Sequence, residues 1–290
     1  MPPPPFDKFH GKGISMQFKL HRPNSIEEAV ALYRETGGTY LAGGTVLLVD
    51  HHSGKHIGHD LISLENISSL RGIRETAEGI VIGSCTTLDE LDRSDLLRER
   101  ACALWQAAGQ VGGPQVRNRG TIGGNLAAGS PSADAAAPLL ALGAILRLQG
   151  PGGSRELPLQ SLFADVFKTN LLPGELITEI LLPAGGSCVS RFTKVGKRNA
   201  LAISCINMAV AHSPESGWSV AVGAAAPTPR LCRCTMELLN EGPLTEERLA
   251  RACEAILTEI SPIDDRWATA SYRRRVCVNL LKAMLKEVSA

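Results

Sequence analysis

The stretch RNRGTIGGNLAAGSPSAD at residues 117–134 places a glycine pair after β-forming residues and ends a run of small side chains with an acidic residue. A second stretch, YLAGGTVLL at residues 40–48, contains another glycine pair in a similar setting. Because glycine lacks a Cβ atom, consecutive glycines can adopt positive φ and bring the backbone within hydrogen-bonding distance of a bulky ligand.

Successive backbone amides in such turns converge into a concavity that favours an anion, and a helix that starts after the turn adds its positive end. Two such turns, Gly43-Gly44-Thr45 and Gly123-Gly124-Asn125, could hold the two halves of a diphosphate, with side-chain hydrogen bonds from Thr45, Thr121 and Asn125. The alternative is that each pair is only a tight loop, as most lone glycine pairs are. Neither turn fits the P-loop or the G-x-G-x-x-G pattern, so the sequence disfavours a P-loop ATPase and a Rossmann fold.

The composition is that of a globular protein. A chain of 290 residues with 44% hydrophobic and 20% charged residues has room for one large domain or for two to three smaller ones. The formal net charge of +1 gives no general attraction to nucleic acid or to a membrane surface. The opening MPPPPFDKFHGKGIS has no apolar signal region, and no later stretch approaches the roughly 18 apolar residues of a membrane span. We expect a flexible tail over residues 1–15, and neither export nor membrane insertion.

The eight cysteines are scattered, mostly within apolar segments, which is typical of reduced thiols in a cytoplasmic protein. The one close pair, Cys232 and Cys234, has no second pair near it and gives little support to a zinc or iron–sulfur site. The histidines of HHSGKH (His51, His52 and His56) suggest either a metal site or a solvated helix end, and adjacent histidines on a helix point to different sides. We predict no metal site in this chain.

The chain begins with an αβα pattern. Ser25 and Glu28 form a capping-box pattern, and the helix that follows stops at the glycine pair 37–38. TYLAGG then predicts a strand that ends in a glycine turn, and TVLLVDHHSG predicts a helical turn or two.

A β-rich piece and a helical region follow. HDLISLENI and GIVIGSCTT favour strands, and Thr87 and Glu90 predict a helix that continues through about Arg98. A further helical face runs from Leu104 to Val111. After the opening stretch come an Ala-rich helix (DAAAPLLALGA), for which Asp134 is a candidate N-cap, a hairpin (AILRLQGPGGSRELPL) and a strand (ELITEILLP).

PAGGS at residues 183–187 is the best domain boundary. Beyond it we predict strands in SRFTKVGK, AISCINMAVAHS and WSVAVGAAAP, and two amphipathic helices at about 245–259 and 271–288. The three arginines of SYRRRVCVNLL suggest a solvated face or a subunit contact more than a nucleic-acid patch.

In this order, LAGGT, TIGGNLAAGSPSADAAAPLLALGA, ELITEILLP, FTK and GAAAPTPRL resemble motifs of the FAD-binding medium subunits of molybdenum hydroxylases. The resemblance points to bacterial xanthine dehydrogenase FAD-binding subunits first and to carbon monoxide dehydrogenase medium subunits as their relatives. The resemblance implies an α+β chain. It implies a two-subdomain FAD-binding domain of the vanillyl-alcohol-oxidase (PCMH) type over residues 16–185, divided at about 70/71. A smaller α+β domain, an antiparallel sheet with helices, follows over residues 186–290.

The same resemblance assigns cofactor contacts along the chain. The first pyrophosphate-binding loop comprises Leu41, Ala42, Gly43, Gly44, Thr45, Val46 and Leu47. Further matches are Val111, Gly112 and Val116 as cofactor-lining residues, Gly120, Thr121, Gly124 and Asn125 as the second phosphate loop, and Ala127 and Ala128 just after it. Asp134 matches an acidic contact, Leu176 and Ile177 an aliphatic pair near the flavin ring, and Lys194 a basic contact. Two positions depart from the family pattern: Val46 and Ala202 stand where many members have aspartate.

The function implied by the resemblance is electron transfer through FAD. Electrons would come from a 2Fe-2S small subunit, after a molybdenum-cofactor large subunit has oxidised a purine or similar heterocycle, and would leave as a hydride to NAD. No residue of this chain is predicted to act as a general acid or base on a substrate, and we therefore predict no catalytic residue. The alternatives are a stand-alone FAD-dependent oxidase or reductase and a non-catalytic nucleotide-binding scaffold.

Overall fold

The N-terminal part of the molecule is a small parallel sheet with two helices. The computed structural model describes residues 18–55, 57–185 and 188–289. The first elements are β1 (Lys19–His21), α1 (Ile26–Thr36), β2 (Thr39–Leu41), α2 (Leu47–His52) and β3 (Asp60–Ser63). The strands pair in parallel in the order β1-β3-β2. Ser25 accepts a hydrogen bond from the Glu28 amide, and α1 ends at Gly37 in the left-handed conformation, so the predicted αβα start is confirmed.

The middle of the chain forms a five-stranded antiparallel sheet covered by short helices. Its elements are β4 (Ile73–Thr76), β5 (Gly79–Gly83), α3 (Leu88–Asp92), α4 (Asp95–Arg100), α5 (Cys102–Gln110), α6 (Pro114–Arg117), α7 (Ile122–Ala127), α8 (Ala136–Ala141), β6 (Ile145–Gly150), β7 (Gly153–Pro158), β8 (Phe163–Asp165), β9 (Lys168–Thr169) and β10 (Leu176–Pro183). The strand order is β4-β5-β10-β6-β7, and β8 and β9 pair separately. The predicted hairpin is β6–β7, and the predicted strand after it is β10.

The helix predicted from Thr87 through about Arg98 is wrong, because the structure has two helices there. Thr87 and Glu90 form a reciprocal capping box, but α3 ends at Asp92. The Ser94 side chain then accepts a hydrogen bond from the Leu97 amide and starts α4. A second capping serine thus interrupts the apolar periodicity that predicted one helix, because a side-chain cap competes with helix continuation.

The C-terminal part is an antiparallel sheet with three helices. It consists of β11 (Val189–Gly196), β12 (Ser204–Ser213), β13 (Gly217–Gly223), β14 (Arg230–Leu231), α9 (Arg233–Asn240), α10 (Glu246–Glu259) and α11 (Ala270–Ser289). The strands follow one another in the order β11-β12-β13-β14. The predicted strands and the two closing helices are confirmed. The short helix α9, which follows the two-residue strand β14, was not predicted.

The C-terminal sheet is buried on both faces. On one face Ala209, Ala211 and Ala221 join the large core formed by α3, α5, α7, α8 and the five-stranded sheet. On the other face Met208 and Val220 pack with apolar residues of α9, α10 and α11. Because side chains alternate along a strand, small alanines face the N-terminal part, and the larger side chains face the helices. The alanines allow α5 and α8 to approach the sheet closely.

Helix α5 lies along the edge strand β11, and hydrogen bonds between backbone groups and side chains join the two elements. The Ala103 amide donates to Ser190 Oγ at 3.1 Å, and the Phe192 amide donates to Gln106 Oε1 at 2.8 Å. Further along, Lys194 Nζ donates to the Gln110 carbonyl at 2.7 Å. The helix residues recur on one helical face and the strand residues alternate, so the two periods match along the whole contact. This contact fastens the C-terminal sheet to the helix that ends beside the glycine turns.

The interpretation of the three C-terminal arginines as a solvated face or subunit contact is wrong for Arg273. Its buried guanidinium donates to the Ala224 carbonyl at 2.8 Å and pairs with Asp265 at 2.7 Å. Arg274 and Arg275 are exposed.

All eight cysteines are free thiols, and five of them are buried while Cys234 is exposed. In the described ranges, no helix combines the length and the apolarity needed to cross a bilayer, and no three His, Cys, Asp or Glu side chains cluster to hold a metal ion. The predicted tail, residues 1–15, and His56 lie outside the described residues.

We predict that Gln106→Ala lowers the free energy of unfolding by about 1–3 kcal/mol, because the Phe192 amide would lose its partner in a partly buried place. Urea denaturation followed by circular dichroism measures the change. Gln110→Ala is the matched control, since among the described residues its exposed side chain bonds only to the Gln106 carbonyl in the same helix. Equal stability of the two variants would contradict this role of Gln106.

Candidate functional site

The first glycine turn is in direct backbone contact with residues 119–120, which lead into the second turn. A Cβ atom built on Gly43 would lie 1.8 Å from the Arg119 carbonyl oxygen and 3.1 Å from the Gly120 Cα atom. A Cβ atom on Gly120 would in turn lie 3.3 Å from Thr45 Oγ1. Only glycine at position 43 therefore permits this approach. Turns that are far apart in the sequence meet at one point of the fold.

The strands and helices around the turns explain why they meet. The first turn follows β2, whose last carbonyl, that of Leu41, accepts from the Leu64 amide after β3. The second turn is tied to the start of α3, where the Leu88 amide donates to the Gly120 carbonyl and Thr87 pairs with Thr121 as an isolated β-bridge. Each turn thus emerges from a different layer of the fold.

The first turn presents a row of unpaired backbone amides. Gly44 has φ of 73°, in the left-handed region, as predicted for a glycine turn. Within the described part of the chain, none of the amides of residues 43–47 donates to a hydrogen-bond acceptor. All five residues line the same cavity. Consecutive free amides at a cavity wall form a binding place for an anion, because each would otherwise lack a partner once water is displaced.

The second turn differs from the prediction. Gly123 and Gly124 lie in the first turn of α7 with no positive φ, so their function is not backbone freedom. Gly123 packs against Ser84, where a Cβ atom would lie 2.7 Å from the Ser84 Cβ. The amides here are already used: those of Ile122 and Gly123 donate to the carbonyls of Thr86 and Ser84, and that of Gly124 donates to the Thr121 hydroxyl. The second turn therefore offers mainly side chains to a ligand.

Asn125 supplies one such side chain. Its Oδ1 atom is buried and has no hydrogen-bond partner within the described residues, and the residue lines the cavity. A buried polar atom without a partner costs free energy unless a ligand or water binds it. The orphaned oxygen and the free amides of the first turn together fit a polar, phosphate-bearing ligand with hydroxyl groups.

The cavity between the turns has a volume of about 670 Å³, within the range of cofactor sites. Seventeen of the twenty predicted site residues line it: Leu41, Ala42, Gly43, Gly44, Thr45, Val46, Leu47, Val111, Val116, Gly120, Thr121, Gly124, Asn125, Ala127, Ala128, Leu176 and Ile177. Gly112, Asp134 and Lys194 do not line it. The cavity thus contains both a polar side, at the turns, and an aliphatic side.

The aliphatic side comes from three separate elements. Leu176 and Ile177, at the start of β10, are buried, while Val111 and Val116 flank the turn between α5 and α6. Ala127 ends α7. Such walls exclude water from a planar aromatic ring system.

Asp134 and Lys194 form a buried ion pair beside the cavity. Lys194 Nζ lies 2.6 Å from Asp134 Oδ2, and Asp134 Oδ1 accepts from Ser204 Oγ at 2.5 Å and from Asn207 Nδ2 at 3.0 Å. The N-cap interpretation of Asp134 is wrong, since α8 begins after Ala135 without a side-chain cap. The pair joins the N-terminal part to the C-terminal sheet.

Several residues around the cavity were not predicted. Tyr40 donates its hydroxyl hydrogen to the Gly174 carbonyl at 3.0 Å. Burial, with a smaller contribution from Tyr33, raises the pKa of Tyr40 to about 12, so it stays neutral. Glu175 makes a two-pronged pair with Arg155 at 2.7 and 2.8 Å, which lowers the pKa of its carboxyl group. Both residues stand beside stretches that the sequence marks, since Tyr40 directly precedes the LAGGT motif and Glu175 is the first residue of ELITEILLP.

The rim of the cavity carries an ion pair and an exposed aromatic ring. Asp50 and Lys55 pair at 2.8 Å, and Lys55 Nζ lies 5.7 Å from the centre of the Phe167 ring. Phe167 has φ of 55° and is 63% exposed. No sequence pattern marks this residue, because a tertiary contact of its amide with the Gly129 carbonyl brings it to the rim.

Comparison with protein families gives two matches that together cover most of the chain. Residues 16–185 match the FAD binding domain in molybdopterin dehydrogenase, and residues 191–288 match the CO dehydrogenase flavoprotein C-terminal domain. The first match alone spans more than half of the chain.

Individual relatives agree with the family matches. The chain is 30% identical to the xanthine dehydrogenase FAD-binding subunit of Escherichia coli O157:H7 over 279 residues, covering 93% of this chain and 95% of the relative. It is 32% identical to the carbon monoxide dehydrogenase medium chain of Hydrogenophaga pseudoflava over 278 residues, covering 94% and 97%. A solved carbon monoxide dehydrogenase structure from that organism, which lacks the Mo-pyranopterin moiety, superimposes with a TM-score of 0.89, 32% identity and coverage of 94% and 97%. The expected α+β fold class is confirmed.

We predict that Gly43→Ala lowers FAD affinity at least tenfold, because the added methyl group would push the first turn away from Arg119. Titration of the FAD-free protein with FAD, followed by flavin fluorescence, measures the dissociation constant.

Gly152→Ala is the matched control, since nothing lies within 4 Å of a Cβ atom at that position. Unchanged affinity in Gly43→Ala would mean that the contact between the turns does not matter for the cofactor.

Proposed function

This chain belongs to the FAD-binding medium subunits of the molybdenum hydroxylase family, and on that premise we propose how it holds its cofactor and where the electrons go. FAD is the cofactor of the family. The observation that carries the proposal is the cavity at which the two glycine turns meet, with the free amides of residues 43–47 on its wall.

The first turn binds the diphosphate of FAD through its backbone amides. Five consecutive donors, with no competing carboxylate in the turn itself, match the several phosphate oxygens of a dinucleotide. Thr45 and Thr121 add hydroxyl groups, and the orphaned Asn125 Oδ1 accepts a hydrogen bond from a ribityl or ribose hydroxyl group. The second turn thus orients the cofactor, while the first turn neutralises its charge.

The aliphatic side of the cavity surrounds the flavin ring. Val111, Val116, Leu176 and Ile177 form an apolar wall on which the ring packs and from which water is excluded. When bound, FAD supplies the two-electron chemistry that connects one-electron carriers to a hydride acceptor.

The ionisable residues that line this cavity are not arranged for acid–base chemistry on a substrate. Glu175 is held by Arg155, and Asp50 is held by Lys55. Burial raises the pKa of the Cys85 thiol, which keeps it protonated and unreactive. The chain's own contribution is to bind, orient and shield FAD, and substrate oxidation belongs to another subunit.

The electron path we propose follows that of a xanthine dehydrogenase. A partner subunit with a molybdenum cofactor oxidises a purine or similar heterocycle, a partner with 2Fe-2S clusters carries the electrons, and the flavin of this chain transfers a hydride to NAD. The 30% identity with xanthine dehydrogenase FAD-binding subunits over nearly the full length supports this assignment. The free, mostly buried thiols are consistent with the cytoplasmic assembly that we propose.

We predict that the purified protein carries FAD, with an absorption band at about 450 nm. We also predict that NAD reoxidises the flavin of the dithionite-reduced protein. Stopped-flow absorbance of the flavin band measures the rates of reoxidation. NAD, oxygen and a soluble quinone are offered in separate mixtures, and oxygen is excluded from the mixtures with NAD and with the quinone. We expect reoxidation by NAD to exceed that by the quinone at least tenfold.

Two outcomes would count against the proposal in different ways. Reoxidation by oxygen or quinone but not by NAD would contradict the acceptor and leave the FAD site standing. Protein expressed together with its neighbouring genes that carries FAD but binds neither a molybdenum-type large chain nor an iron–sulfur small chain would contradict the subunit role.

A further inference from the structure

The carboxyl end of α5 forms part of the cavity wall. Val111 follows the last residue of the helix, and Gly112 turns the chain with φ of 51°. Val116 then packs back against Gly112, where a Cβ atom would lie 2.9 Å from the Val116 Cβ. Val111 and Val116 both line the cavity. Any group that fixes this turn also fixes the wall.

Arg117 lies directly behind this wall. Its Nη1 atom is 3.5 Å from the Val111 carbonyl and 3.4 Å from the Gly112 carbonyl. Carbonyls at the end of a helix carry partial negative charge and attract a cation. The Arg117 side chain is only 17% exposed, and it does not line the cavity itself. The Val111 and Gly112 carbonyl groups and the apolar wall therefore separate the guanidinium from the cavity, and its positive charge acts across them.

The positive charge of Arg117 is incompletely balanced. Its Nε atom is buried and has no hydrogen-bond partner in the described part of the chain. The nearest paired carboxylate, Asp92 Oδ2, is 3.9 Å away and its side chain is 31% exposed. At this distance the pair is a weak ion pair without a hydrogen bond.

The second cation at the same helix end differs in this respect. Lys194 Nζ donates to the Gln110 carbonyl at 2.7 Å, but its charge is balanced by Asp134 at 2.6 Å. A third bond reaches the Ala202 carbonyl at 3.1 Å. Lys194 thus holds the helix end, and Asp134 cancels most of the electric field of its charge. Asp92 cancels only part of the electric field of Arg117.

We propose that Arg117 positions the wall formed by Val111 and Val116 and raises the reduction potential of the FAD bound against it. The proposal rests on the FAD site proposed above. An iron–sulfur partner or dithionite supplies two electrons to the oxidised ring, and solvent supplies one proton. The net charge of the ring therefore becomes more negative by one unit. A cation behind an apolar wall stabilises that added charge, because little water is present to screen it.

Arg117→Gln tests the charge directly. We expect a more negative midpoint potential, equivalent to a roughly three- to tenfold weaker binding of reduced relative to oxidised FAD. Arg117→Lys should restore most of the potential because it keeps the charge. The potentials are measured by dithionite titration of the FAD-loaded protein with a reference dye, and oxidised FAD affinity is measured by fluorescence.

Asp92→Asn tests the same field with the opposite sign. Removing the partial counter-charge should make the potential more positive, which a purely structural effect of either substitution does not predict. The matched control is Arg93→Gln, since the Arg93 side chain is 76% exposed and, in the part of the chain that the structure describes, pairs only with Asp89 on α3. Its potential should equal that of the unaltered protein.

The outcomes separate this inference from the proposed function. If the unaltered protein binds no FAD, the proposed function fails. If FAD binds normally and Arg117→Gln leaves the potential unchanged, only the role of Arg117 is overturned. If Arg117→Gln does not retain FAD, the midpoint potential of Asp92→Asn tests the proposal instead. A more positive potential supports the effect of the Arg117 charge on the flavin, and an unchanged or more negative potential overturns it.

Discussion

The site depends on one close contact between two backbone segments. At Gly43 the first turn approaches the Arg119 carbonyl so closely that no side chain fits between them. Gly43 and Gly120 both line the cavity, together with the rest of residues 43–47, whose amides have no acceptor within the described residues. A substituted residue at position 43 would separate two layers of the fold, because the first turn belongs to the parallel sheet and the second to the helices on the antiparallel sheet. The cofactor site is thus formed by the junction of two parts that each fold around their own strands.

The C-terminal domain completes the site without lining it. Its edge strand β11 bonds along α5, and the Asp134–Lys194 pair connects β11, β12 and the end of α5. Small alanines on one face of β12 and β13 allow this close packing. The cavity wall formed by Val111 and Val116 is therefore held from behind by a second domain. Such support restricts the wall to one position, which a redox cofactor needs if its potential is to be defined.

Much of the site could be predicted because its signals are local. The glycine turns, the strand before the first of them and the motifs of the family all lie in short stretches, and seventeen of the predicted residues line one cavity. What was missed depends on tertiary contacts. The backbone of Gly124 is helical because Thr121 caps α7, and the cap of α8 shifted because the Asp134 carboxylate pairs with Lys194 instead. Phe167 reaches the cavity from a turn that carries no motif, and Glu175 begins the ELITEILLP motif but was not singled out within it. Sequence spacing shows which segments are unusual, but not which of their polar groups find partners within the fold.

The central claim is that the backbone amides of the first turn bind the diphosphate. The most direct measurement is amide NMR of the ¹⁵N-labelled, FAD-free protein during titration with FAD. We expect large downfield shifts and slowed hydrogen exchange for the amides of residues 43–47. Much smaller effects are expected for the amides of Gly123 and Gly124, which already donate hydrogen bonds within the protein. If FAD binds while the resonances of residues 43–47 stay unchanged, the amides of the first turn do not bind the diphosphate, which then lies elsewhere.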